Sequence, residues 1–290
     1  MTTLDVAAVR ADRGAASESA VHPEVVIAGR YRLTDPLGGG SEAYVKEALD
    51  LHTGNAVAIK IFRNPDPVSD VPFHREVGIH GRLRHKNIVR VLDSGATGDE
   101  YGESRNFLVM ELVAGKDLRS ILHQQPATPR ETAEWMGGIA RALAYIHRKG
   151  IVHNDVKPGN ILVNFASDPG EPGVAQLTDF GIAIAGASSA SSSSSGTPHY
   201  LSPEEVRGGT STAASDIYSL GLVALECLTG TKAFPGPPLE SMVARTLGEP
   251  RIPGTVRRRW SMVLHAMTDP EPAGRPSASQ VVGMFRRLSW

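Results

Sequence analysis

Apolar and polar residues alternate with a period of two in short runs between residues 31 and 110. This predicts strands over 31–37, 44–50, 56–62, 89–94 and 107–110, separated by turn residues. One helix interrupts them, over about 73–83. Beyond Leu112 the period lengthens. The segment 131–149 sets Met136, Ile139, Leu143 and Ile146 at spacings of three and four on one face, and Gly150 follows as a stop. Residues 212–228, ended by Gly230, form a second helix, too apolar to be anything but buried. A last helix begins with the capping pair Ser277 and Gln280 and runs to about Arg287. Strands first and helices after predict an α+β architecture, a mainly β lobe followed by a mainly α lobe with a cleft between them.

Residues 1–28 carry small and charged residues without sustained periodicity and read as a flexible tail, with at most a short strand at Val25, Val26 and Ile27. There is no internal repeat, and the one low-complexity stretch is Ser188 to Ser195, seven serines and one alanine.

Composition narrows the classes. A hydrophobic fraction of 41% with 21% charged residues is that of a globular protein, and a formal net charge of -1 gives no general attraction to polyanions, so no nucleic-acid partner is expected. The single cysteine, Cys227, excludes an intrachain disulfide and a cysteine-based zinc cage; set in an apolar run, it reads as a buried structural thiol. No apolar run is long enough to cross a bilayer. Asp5, Arg10, Asp12, Arg13 and Glu18 interrupt the apolar core that an export signal needs, so the expectation is a cytoplasmic protein without membrane partners.

The candidate chemistry is phosphoryl transfer, which needs a phosphate cradle, a cation on the phosphates, metal ligands, and a carboxylate beside the attacking hydroxyl. Gly38, Gly39 and Gly40, between two strands, let backbone N–H groups approach phosphate oxygens. Taken alone the run is equally a hairpin turn, and Ala43 stands where a third glycine is expected. Val57-Ala58-Ile59-Lys60 ends a strand in one lysine, and Glu76 on the helix could pair with it while Lys60 steers the phosphates. In the run from His153 to Leu162, Asp155 can accept the substrate hydroxyl's proton, Lys157 can neutralise the migrating phosphoryl, and Asn160 can offer its amide oxygen to a hard cation. His153 reads as a packed structural imidazole. Asp179, in Thr178-Asp179-Phe180-Gly181, is the second metal ligand.

These motifs, in this order, resemble the Hanks-type protein kinases in their bacterial, eukaryotic-like branch, from about Tyr31 to Trp290, with Ser202-Pro203-Glu204 as the counterpart of Ala-Pro-Glu. The resemblance implies a two-lobed kinase domain over 29–290, with an N-lobe of about 29–111, a C-lobe of about 112–290 and an activation segment over 179–204. It implies ATP and Mg²⁺ (or Mn²⁺) as cofactors and Ser/Thr hydroxyls of proteins, including its own, as acceptors. It further implies that Met110 is the gatekeeper, that backbone groups of Glu111 and Val113 hold adenine and Asp117 the ribose, and that Leu37, Val45, Ala58 and Leu162 sandwich the base. Glu204 would pair with Arg275, and Asp216 would brace the catalytic-loop backbone. Lys157 and Thr197, the latter on the substrate platform, mark the serine/threonine class. Two positions depart from the pattern: Asn154 replaces the usual Arg, which argues against activation by phosphorylation, and His80 takes a place usually apolar.

Two other readings fit the fold: a scaffold that has lost transfer, and a small-molecule phosphotransferase. The intact Lys60, Glu76, Asp155, Asn160 and Asp179 disfavour the first; Lys157, Thr197 and Ser202-Pro203-Glu204 disfavour the second. Substrate identity, activating signal and oligomeric state, homodimerisation included, are not readable from the chain.

Overall fold

The computed structural model describes residues 25–40, 43–63, 73, 77–78, 80–98, 104–165, 171–179, 183–184 and 198–288. Two compact units emerge, one holding the chain up to Arg84 together with Val89–Lys116, the other His85–Ile88 together with the chain from Asp117 onward.

The first unit is a six-stranded antiparallel sheet of β1 (Val26–Ile27), β2 (Tyr31–Gly39), β3 (Ala43–Asp50), β4 (Ala56–Phe62), β5 (Val91–Gly98) and β6 (Ser104–Glu111), in the order β1-β2-β3-β4-β6-β5. Alternation assigns its faces. Val57, Ile59 and Ile61 of β4 pack with Phe107 and Val109 of β6 and with Ile27, Tyr31 and Ala48 in one core cluster. β1 thus lies within the stretch expected to be tail, because burial of Ile27 ties it to that core. The β5–β6 hairpin runs longer than expected, to Gly98↔Ser104. Its outer half is partly exposed and lacks apolar alternation, yet its backbone still pairs. At the sheet edge Arg30 clamps Asp50 with two hydrogen bonds of 2.8 Å and reaches Asp93 at 3.1 Å, while the Tyr31 hydroxyl donates to Asp93 at 2.7 Å. The Arg30 guanidinium holds the Asp50 carboxyl well below the usual carboxylate range.

Phe73, Val77, Gly78 and His80 are helical, within the predicted helix. His80 is buried, with Nε2 3.0 Å from the Val89 carbonyl; a carbonyl only accepts, so the ring donates. That bond is the physical content of the unusual residue: it fastens this helix to the chain entering β5.

A short strand, β7 (Gly115–Asp117), leads into the second unit. The helices are α1 (Leu118–Leu122), α2 (Pro129–His147), α3 (Pro203–Val206), α4 (Ala213–Thr229), α5 (Pro238–Leu247), α6 (Arg258–Met267) and α7 (Ala278–Leu288). Thr128 and Glu131 form a reciprocal cap on α2, with Pro129 at its first position, and the four predicted face residues are wholly buried. Thr212 and Ser215 cap α4, which ends at Gly230 in the left-handed region (φ +70). Ser277 and Gln280 cap α7 as expected. Two small sheets carry the loops: β8 (Ile151–Val152) with β11 (Ala183–Ile184), and β9 (Ile161–Asn164) between β10 (Val174–Leu177) and β7. No helix among the described residues is long and apolar enough to cross a membrane.

Candidate active site

In the first unit the register assembles one group of candidates. Lys60 lies opposite Val45 on one side and Leu108 on the other, and Ala58 opposite Met110. These positions share the face turned away from the Val57-Ile59-Ile61 core, so the alternation that buries the core also aligns Val45, Ala58, Lys60 and Met110. Val45, Ala58, Met110 and Val113 are buried, while Leu37 and Lys60 are half-buried, with Lys60 Nζ 5.2 Å from the Phe62 ring centre. Gly38 pairs with Val45 and Gly39 with Tyr44, and the Gly40 N–H donates to the Ala43 carbonyl at 2.8 Å. A Cβ on Gly39 would stand 3.0 Å from the Tyr44 Cβ, a tight contact that would press the two strands apart by a few tenths of an ångström. The Glu111 carboxylate accepts the Arg90 N–H at 3.0 Å. Glu76 lies outside the described residues.

The second group is built on a buried carboxylate. Asp216, 1% exposed in α4, accepts the backbone N–H of His153 at 2.8 Å and of Asn154 at 2.9 Å, and His147 Nε2 stands 2.8 Å from the same Oδ2. The loop is therefore held by its backbone. Asn154 takes a left-handed conformation (φ +70), which Asn tolerates better than most residues, and its amide Oδ1 is buried with no hydrogen-bond donor among the described residues. His153 is wholly buried: Nε2 contacts the Thr178 carbonyl at 3.1 Å and Nδ1 accepts the Asp155 N–H at 3.2 Å. Burial holds its pKa below the ordinary value, so the ring is a neutral strut, as the sequence suggested.

Asp155 Oδ2 receives Lys157 Nζ at 2.8 Å and Asn160 Nδ2 at 2.8 Å, and the same Nδ2 reaches the Asp155 carbonyl at 2.9 Å. Asp155 Oδ1 has no donor among the described residues, and the side chain is 18% exposed. Two donors on one oxygen leave the other oxygen as the acceptor that a hydroxyl could meet. Asn160 precedes β9, where Ile161 pairs with Leu177, and its carbonyl accepts the Thr178 N–H at 3.0 Å. Asp179 follows directly, with φ +52. The amide oxygen of Asn160 and the carboxylate of Asp179 thus belong to facing ends of the paired strands β9 and β10. Leu162 is buried in β9, and Asp117 caps α1, accepting the Ser120 N–H at 2.9 Å and its hydroxyl at 2.5 Å. Among the described residues no group of three or more His, Cys, Asp or Glu could by itself hold a metal.

Beyond the loop, Arg275 clamps Glu204 at 2.7 and 2.8 Å, and Ser215 also donates to Glu204 at 2.7 Å. Thr197 lies outside the described residues. Two contacts here escaped the sequence reading. The Tyr200 hydroxyl donates to a buried Glu226 at 2.6 Å. Arg245, 1% exposed, donates to the Leu201 carbonyl and to Ser241, and stacks 5.3 Å from the Phe234 ring centre. Nothing in a solitary arginine on a short helix signals burial.

Comparison with known proteins gives a consistent answer. Residues 31–284 match the protein kinase domain. The chain is 39% identical over 227 residues to the probable serine/threonine-protein kinase PknB of Bifidobacterium longum, covering 74% of this chain and 32% of that protein. It is 39% identical over 243 residues to the serine/threonine-protein kinase PrkC of Bacillus subtilis, covering 81% and 35%. It is 38% identical over 237 residues to the serine/threonine-protein kinase PknB of Mycobacterium tuberculosis, covering 79% and 37%. The chain spans about a third of the length of these relatives.

Proposed function

The chain belongs to the protein kinase family, and from that premise we propose that it is an ATP-dependent serine/threonine protein kinase, acting on protein substrates and on itself. The observation that carries this reading is Asp155, whose Oδ2 is held by Lys157 and Asn160 at 2.8 Å while Oδ1 has no donor among the described residues, on a loop fastened to buried Asp216. In the proposed step the substrate hydroxyl oxygen bonds to the γ-phosphorus, the bond from that phosphorus to the β–γ bridging oxygen breaks, ADP leaves, and Asp155 takes the hydroxyl proton. Lys157 stabilises charge on the migrating group, and Lys60, oriented by Glu76, holds the α and β phosphates. Gly38, Gly39 and Gly40 cradle phosphate. Leu37, Val45, Ala58, Met110, Glu111, Val113 and Leu162 bind the base, Asp117 the ribose, and Thr197 completes the substrate platform. ATP as donor makes the cytoplasm the place of work. Transfer of labelled γ-phosphate to the protein and to a generic basic protein, with and without Mg²⁺, tests the reading; no label on either would reject it.

Asn160 and Asp179 offer one amide oxygen and one carboxylate from adjoining chain ends, a donor set that suits a hard cation such as Mg²⁺ or Mn²⁺. When bound there, the cation neutralises phosphate charge. Two protein donors fill a minority of an octahedral shell, so the expected result is tight Mg²⁺ binding only when ATP is present. Calorimetry on nucleotide-free protein should show no tight site; a submicromolar one would contradict the assignment.

Turnover should not require phosphate on the serine run Ser188 to Ser195, which lies outside the described residues. Asn154 is uncharged, so a phosphoserine gains no guanidinium fork at that position, and an unphosphorylated loop leaves no desolvated cation behind. Replacing Ser188, Ser189 and Ser191 to Ser195 by alanine, with Thr197 kept, should change initial rates on an external substrate by less than about tenfold, or ~1.4 kcal/mol of barrier. A larger loss would mean that another cation reads the phosphate.

A further inference from the structure

Five arginines gather at one end of the second unit. Arg257, Arg258 and Arg259 open α6, Arg286 and Arg287 close α7, and all five are exposed. The Trp260 and Phe285 rings meet with 5.9 Å between their centres, so the start of α6 lies beside the end of α7 and the two sets of arginines flank one contact. Neither helix contains an Asp or a Glu. The acids on neighbouring elements are few. Glu249 is taken by His265 at 3.1 Å, two turns along α6 from Arg258, and Asp269 and Glu271 lie beyond the far end of that helix. Glu134 stands on α2, which packs on α7 at Gly137 and Phe285. None of the five guanidiniums forms an ion pair or a side-chain hydrogen bond with these or with any other of the described residues.

Folding alone does not call for this arrangement. Arg286 and Arg287 suit the C-terminal end of a helix, but at the start of α6 cations oppose the positive end of the helix dipole, and Arg257 supplies no side-chain cap there. Like charges collected in this way raise the energy of the free fold, and an anionic partner relieves them. Met262, 65% exposed, stands one turn on from Arg258 and Arg259 and on the same face. Guanidiniums beside an exposed apolar side chain suit the boundary of an anionic bilayer, where headgroup phosphates meet the charge and the acyl region meets the thioether. Nucleic acid is served less well, because Trp260 and Phe285 are buried and leave no ring on which a base could stack.

We propose that this face docks on an anionic lipid bilayer, with the five arginines on the headgroups and Met262 at the acyl boundary. Surface docking replaces the expectation of no membrane partner, since the lack of a spanning helix among the described residues bears only on crossing a bilayer. Docking is independent of phosphoryl transfer and is tested without ATP, so its failure leaves the kinase reading untouched. The full chain is sedimented with vesicles of phosphatidylcholine alone and of phosphatidylcholine mixed in equal parts with phosphatidylglycerol. Binding is expected to the mixed vesicles only, and to fall as salt screens the charges. Arg258→Ala combined with Arg259→Ala should weaken it at least tenfold, at about fivefold for each charge near the surface. Arg207→Ala combined with Lys232→Ala, the same change of net charge on other exposed positions, should leave it within about twofold. Met262→Ser should weaken it without altering its dependence on salt. All these positions are exposed, and thermal melts confirm that each variant folds. No binding to the mixed vesicles, equal binding to phosphatidylcholine alone, or equal losses in the two paired variants would overturn the proposal. So would displacement by soluble glycerol phosphate at the lipid's own concentration, which would mean a headgroup site without a bilayer, or tighter binding of a DNA oligonucleotide at the same salt, which would mark the face as a nucleic-acid surface.

Discussion

Asp155→Asn is expected to lower phosphoryl transfer by on the order of a hundredfold or more while leaving the melting temperature within a few degrees of the parent. The reason lies in how the carboxylate is held. Oδ2 accepts from both Lys157 and Asn160, so an asparagine at 155 keeps these bonds only by turning its amide oxygen toward them. That places NH₂ where Oδ1 stood, and a hydroxyl that needs an acceptor meets a donor. Folding loses nothing of consequence, because the loop backbone is tied through His153 and Asn154 to Asp216. Lys60→Met should cost a comparable factor: methionine fits beside Val45 and Leu108, but the cation is gone. Initial rates and thermal melts are read together, and near-parental activity in either variant would reject its assigned role.

The part of this arrangement that could be read in advance is the part governed by short-range periodicity. Alternation in 56–62 separates Val57, Ile59 and Ile61 from Ala58 and Lys60, and the sheet register confirms that partition across three strands. The caps on α2, α4 and α7 are likewise written within four residues of each helix start. What resisted reading depends on distant partners. His147 meets Asp216 across 69 positions, and Arg30 meets Asp93 across 63; no local pattern encodes either. Family resemblance supplied Asp216 and the Glu204–Arg275 pair, but not Arg245. Its burial is made tolerable by carbonyl acceptors and an aromatic face from separate segments, which appear only once the chain has folded. His80 is the same case in miniature: a polar residue in an apolar place is explained by one carbonyl nine residues away.

Arg275→Met is expected to be the most destabilising single change, with a loss of roughly 3–5 kcal/mol, because it removes one half of a buried ion pair. The Arg275 side chain is 0% exposed, and besides Glu204 it donates to the carbonyls of Ala214 at 3.0 Å, Asp269 at 2.8 Å and Pro270 at 3.2 Å. Methionine would leave these carbonyls, and a charged Glu204 that keeps only its hydroxyl donor Ser215, without the guanidinium. The pH dependence identifies the cause. Burial pushes the Glu204 carboxyl up, but the hydrogen bonds from Arg275 and Ser215 bring it below its ordinary value in the parent. A depressed folded pKa contributes stability that is present above the unfolded value and is lost as pH falls through the folded one. In the variant burial prevails and the folded pKa lies above the unfolded one, so stability now falls as pH rises. The gap between parent and variant should therefore be widest at neutral pH and narrow on acidification toward about pH 4 to 5. Glu204→Gln combined with Arg275→Met removes the stranded charge and should recover more than half of the loss, with little dependence of the gap on pH. Denaturant melts of the three proteins from neutral to acidic pH decide the matter: a gap independent of pH in the single variant, or a double variant no more stable than Arg275→Met alone, would show that the loss comes from packing and the unmet carbonyls rather than from the stranded carboxylate.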